Sequence, residues 1–141
     1  MIRVFWDTNL FVYLLEECGE LSQSVQALRE RMIERQDQLC TSTMTLGEIL
    51  VKPLALQRQD LADKYEAALT SAAVLLIPFD RPVARVYARI RNDRSIRPPD
   101  AVQLACAAQA ECDLFITNDE RLSRKLVPGI HFIVSLQRAF L

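Results

Sequence analysis

Asp7, Glu48, Asp100 and Asp119 each stand at or just past the end of a short apolar run, where a helix-forming stretch begins. Taken singly, each has an ordinary account. Aspartate is favoured at helix N-caps, and negative charge is favoured in a first helical turn. Thr45-Leu46-Gly47-Glu48 even has the S/T-x-x-E form of a capping box. Four carboxylates brought to one edge, however, repel one another unless a cation lies among them. Hard oxygen donors select Mg²⁺ or Mn²⁺, ions that keep several waters and meet their substrates through phosphate oxygens. The chemistry that follows is attack of water on a phosphodiester, with the metal polarising the phosphate and activating the water. Other chemistries have less to build on. Cys18, Cys40, Cys106 and Cys112 contain no C-x-x-C pair, and His131 is the only histidine. That argues against a Cys/His zinc site and against a Ser-His-Asp nucleophile, and leaves the cysteines as reduced thiols in a core.

Whether the acids converge depends on the elements that carry them. Residues 2–6 read as a short buried strand ending at Asp7, and residues 8–17 as a helix. Leu21, Val25, Leu28 and Met32 fall on one face of a second helix. Residues 39–41 predict a strand, with Glu48 in the first turn of the helix after it and Pro53 stopping or kinking that helix. Residues 57–71 form a further helix with Ala62, Tyr65, Ala68 and Leu69 on one side. The continuous apolar run 74–77, closed by Pro78, predicts a buried parallel strand. Over 80–94, Val83, Val86, Tyr87 and Ile90 supply another helical stripe. Pro98-Pro99-Asp100 opens a helix over 101–110 that is apolar nearly all round, and therefore central. Residues 114–117 form the next strand, followed by Asn118-Asp119, a short helix and a last strand over 130–134. Strands alternating with helices predict an α/β fold: one domain over 1–141, a parallel sheet covered on both faces. Ligands of such sheets bind beyond the carboxyl ends of the strands, which is where all four acids fall.

Composition narrows the field further. The 141 residues are 50% hydrophobic and carry a net charge of −1, which excludes disorder. The longest apolar runs, 10–15 and 72–77, are too short to span a membrane. No secretory signal is visible, so the expected location is the cytoplasm. The near-neutral charge argues against a protein that simply coats a polyanion. The basic set is lopsided, with 14 Arg against 3 Lys, and arginine suits bidentate phosphate contacts. Arg81, Arg85 and Arg89 form one helical stripe, readable as a solvated face or as a track for a phosphate backbone. Arg94 and Arg97, in the loop before Asp100, are better placed to touch such a backbone.

Phe5-Trp6-Asp7-Thr8-Asn9, Thr45-Leu46-Gly47-Glu48, Pro99-Asp100-Ala101-Val102-Gln103-Leu104-Ala105 and Thr117-Asn118-Asp119 resemble, in order, the four motifs of the PIN domain. More narrowly, they are similar to those of VapC-like toxins of bacterial and archaeal toxin–antitoxin pairs. The resemblance implies a Rossmann-like three-layer fold and a Mg²⁺- or Mn²⁺-dependent ribonuclease. It implies Asp7 and Asp100 as principal metal ligands, Glu48 and Asp119 completing the acidic set, Thr117 holding Asp7 through its hydroxyl, and Asn9 in support. It also implies RNA as substrate, a small antitoxin whose tail covers the acids, and a homodimer. Leu10, Phe11, Tyr13 and Leu14, and the stretch 50–56, supply either such surfaces or core. Rival readings are a PIN domain that binds RNA or a partner without cutting, a general RNA-processing nuclease, and a phosphotransfer domain. The last is disfavoured by Asn9 where an Asp-x-Asp pair is needed, and by having only Lys52, Lys64 and Lys125 as lysines.

Overall fold

Strand β1 (Arg3–Trp6) lies at the centre of a five-stranded parallel sheet in the computed structural model, which describes residues 1–139 and 141. The chain first builds outward on one side of it. Helices α1 (Thr8–Leu15) and α2 (Glu20–Arg35) lead to β2 (Gln38–Ser42), and α3 (Thr43–Ala55) and α4 (Gln59–Leu69) lead to β3 (Val74–Ile77). It then crosses over through α5 (Arg81–Ile90) and α6 (Pro98–Gln109) to β4 (Leu114–Thr117) and β5 (Phe132–Ser135), giving the order β3-β2-β1-β4-β5. The order reverses direction between β1 and β4, which opens a crevice at their carboxyl ends.

Strand side chains alternate between faces, so β1 feeds two cores. Phe5 packs with Cys40, Leu104, Cys106 and Phe115 under α5 and α6, its ring stacked on Phe115 with centroids 5.0 Å apart. Val4 and Trp6 point the other way, into Leu10, Phe11, Val25, Leu28 and Met32 from α1 and α2. This is the three-layer α/β sandwich that the alternation of strands and helices predicts.

Several local expectations are corrected. Helix α1 ends at Leu15, two residues early. The capping box does not form. Ser42 caps α3, its hydroxyl accepting the Thr45 N–H, so Thr45 turns inward and Glu48 falls in the second turn. Helix α3 also runs two residues past Pro53. Ala68 is exposed, leaving Ala62, Tyr65 and Leu69 as the buried side of α4. The apolar run of β3 is not fully buried: it is an edge strand, and Leu75 is 37% exposed. The helix expected after Asp119 is a single 3₁₀ turn, Leu122–Arg124. In the first helix Leu10 and Phe11 are core while Tyr13 and Leu14 are half-buried; in the stretch 50–56, Val51, Leu54 and Leu56 are exposed.

Candidate active site

Parallel register brings the first two site residues together. Trp6 of β1 pairs with Ile116 of β4, so the residues that follow them, Asp7 and Thr117, meet at the crevice. The Asp7 N–H donates to Ile116 O at 3.0 Å, and the Thr117 hydroxyl donates to Asp7 Oδ2 at 2.9 Å. Asp7 Oδ1 accepts the Thr8 N–H at 2.9 Å, so the same carboxylate caps α1. Thr117 also accepts the Asp119 N–H at 3.0 Å, and that contact turns the chain so that Asp119 swings back over the site.

Asp7, Glu48, Asp100 and Asp119 line one cavity of about 180 Å³. Asn9, exposed on α1, lines it as well, together with Arg97 and Gln103. Arg97 lies across the acids, its Nε 3.8 Å from Asp100 Oδ2 and a terminal nitrogen 3.9 Å from Asp119 Oδ2. Arg94 is exposed and lines neither this cavity nor the neighbouring one, and Arg81, Arg85 and Arg89 are exposed along α5. The neighbouring cavity, about 290 Å³, shares Asp100 and Asp119 with the first; its other wall carries Ser95, Arg121, Arg124 and Lys125. Lys125 is held there by Asp93 (3.1 Å) and Ser95 (2.5 Å). These cations after β4 were missed in the sequence because they are scattered, unlike the dense arginines before Asp100.

The electrostatics are those of crowded anions. Burial pushes the Asp7 carboxyl up to about 6, with Asp100 and Glu48 adding like-charge repulsion and the bonds from Thr117 and Thr8 opposing it. Burial likewise raises Asp100, against the pull of Arg97. Burial pushes Asp119 upward too, but the Arg121 side chain and the backbone N–H groups of Arg121 and Leu122 outweigh it and hold its carboxyl low. Carboxylate oxygens around a cavity, with the Asp7 and Asp100 carboxyls both forced upward, suit a hard divalent cation. Among the described residues no three acidic, histidine or cysteine side chains close into a finished cage. Mg²⁺ keeps several of its waters and needs none.

The family model of the PIN domain matches residues 4–126. The chain belongs to the PIN domain family. Among solved structures, this PIN domain is similar to a chain of VapBC2 from Rickettsia felis bound to a promoter DNA fragment. The identity is 16% and the TM-score 0.74, over 95% of this chain and 98% of that one. A chain of DNA-bound VapBC from Salmonella typhimurium matches at 20% identity and TM-score 0.72, over 96% and 99%. Mycobacterium tuberculosis VapC20, described as a sarcin–ricin loop cleaving toxin, matches at 15% and 0.61, over 79% and 86%. At these identities the likeness is one of fold. No curated protein matches this PIN domain by sequence. No helix among its described residues is long and apolar enough to cross a membrane.

Proposed function

We propose that this PIN domain is a metal-dependent endoribonuclease acting as the toxin of a toxin–antitoxin pair in the cytoplasm. The observation that carries the reading is the convergence of Asp7, Glu48, Asp100 and Asp119 on one cavity whose neighbour is walled by cations. Asp7 and Asp100 hold Mg²⁺ or Mn²⁺, and Glu48 and Asp119 complete the acidic set. Bound there, the ion supplies an activated water and offsets charge on the scissile phosphate. Thr117 fixes which way Asp7 points, as partners of metal-binding carboxylates do. Asn9, on the rim, supports the site. Arg97, with Arg121 and Lys125 of the neighbouring cavity, takes the flanking phosphates of the RNA strand; Arg94 extends that contact along the loop.

The toxin role adds two partners, a small antitoxin that covers the acids and a second copy of this chain. Val51, Leu54 and Leu56, which are 67%, 50% and 61% exposed, offer apolar surface beside the site helices for such contacts. The fold likeness to chains of VapBC complexes favours this role over a general processing nuclease.

The test is cleavage of a panel of structured RNAs with Mn²⁺ and with chelator, comparing the parent with Asp7→Asn and Asp100→Asn. The parent should cut only with metal, and neither variant should cut. An Asp7→Asn protein that cuts as well as the parent overturns the mechanism. For the toxin role, the product of a small reading frame immediately upstream should bind the protein and block cleavage.

A further inference from the structure

Gln103 is the polar exception in the buried face of α6, 2% exposed among alanines, Leu104 and Cys106. Its carboxamide is engaged on both sides. The Ser42 hydroxyl donates to Oε1. Nε2 donates to the hydroxyl oxygens of Thr8 at 2.9 Å and Thr45 at 2.8 Å. The short contact to Glu48 fixes this orientation of the amide, because a Thr8 hydroxyl that donates to a carboxylate can only accept from Gln103. Ser42 Oγ already accepts the Thr45 N–H, so its own proton is free for the carboxamide oxygen. An amide nitrogen can only donate, so Thr8 must accept from it.

That leaves the Thr8 hydroxyl with one proton to place. Glu48 Oε1 lies 2.6 Å away and, when ionised, can only accept. The alternative, Thr45 Oγ1, lies at 3.2 Å, already accepts from Gln103 and is 2.8 Å from the Thr41 hydroxyl. The short charge-assisted bond is the stronger one. A donor chain therefore runs from Gln103 through Thr8 to Glu48.

We propose that Gln103 is a positioning residue for the acidic cavity. By donating to Thr8 it commits the Thr8 proton to Glu48 and holds that exposed carboxylate toward Asp7 and Asp100. Gln103 sits three residues after Asp100 on α6, so the helix that supplies one acid also orients another. The inference rests on the metal-dependent reading above.

The experiment is a calorimetric titration of metal-free protein with Mn²⁺, alongside the thermal midpoint of each variant without metal. Gln103→Met keeps the length of the side chain and removes its donors; Mn²⁺ affinity should fall about tenfold, as when other partners of metal ligands are removed. Thr8→Val should fall by a similar factor and Thr8→Ser should keep the parent's affinity. The double variant should bind no more weakly than Thr8→Val alone, since the two residues act in series. Parental Mn²⁺ affinity in Gln103→Met overturns the proposal even if its midpoint drops, because that is the pattern of a purely structural residue. Additive losses in the double variant overturn it as well. Should Gln103→Met fail to fold, equal affinities of Thr8→Ser and Thr8→Val overturn the chain at its last link. A parent that binds no Mn²⁺ overturns the functional reading itself, a different failure from any of these.

Discussion

Asp7 caps α1 through the Thr8 N–H, a contact that ordinarily stabilises a helix. Its burial beside Asp100 and Glu48 works against it, and the carboxyl is pushed up to about 6 from 3.8. The folded chain then holds this proton more tightly than the unfolded chain does. Stability therefore falls as pH rises through the interval between those two values, and about 3 kcal/mol is missing at neutral pH when no metal is bound. Thermal unfolding of metal-free protein should give a higher midpoint at pH 5 than at pH 7. Asp7→Asn should remove much of that difference and raise the midpoint at pH 7 by several degrees, because asparagine keeps a capping oxygen without the charge. Mn²⁺ should raise the parent's midpoint and leave that of Asp7→Asn nearly unmoved. A variant that keeps the parent's pH dependence would show that another group carries it.

Helix starts show how far the sequence could be read and where it misled. Asp7 and Asp80 are both N-caps, of α1 and α5, and both are visible as an acid before a helical stripe. What separates them is the company they keep across the sheet, which no local pattern reveals. Asp80 accepts the Val83 N–H on α5, an element that brings no acid to the cavity. Asp80→Ala should therefore cost about 1 kcal/mol by denaturant unfolding, as cap losses do, while Mn²⁺ affinity stays at the parent's value. A parallel sheet covered on both faces followed from apolar runs alternating with amphipathic stripes, whereas the order of its strands did not, and the meeting of Asp7 with Thr117 was implied only by the resemblance to the PIN domain. Register within a helix was not legible at α3. Thr45 and Glu48 have capping-box spacing, but Ser42 starts the helix earlier and turns Thr45 into the core. The run Val74–Ile77 looked buried on both faces because an edge strand and a central one can carry the same apolar residues. Gln103 passed as part of an apolar helix, although one amide inside the run 101–108 was a signal that a polar network lay beneath it.

Across the whole molecule, charge is sorted rather than balanced. The net charge of −1 includes the four cavity acids, so the remainder of the chain carries +3. Arg121 and Arg97 supply the positive charge nearest the acids, and of the two only Arg97 lies within 4 Å of both Asp100 and Asp119, with its side chain 65% exposed. An arginine so placed has two duties of opposite consequence. It attracts a phosphate strand, and it occupies, as a cation, the field that a divalent ion would use. Removing it should therefore move two affinities in opposite directions. Arg97→Ala should weaken RNA binding and reduce the slope of log affinity against log salt by about one, the signature of one lost phosphate contact. The same variant should bind Mn²⁺ several-fold more tightly, because a competing positive charge has left the cavity. Filter binding across a salt series and metal titration measure the two effects separately. A fall in both affinities would mean that Arg97 holds the α6 start in place rather than standing in for a cation, and unchanged RNA binding would remove it from the substrate path.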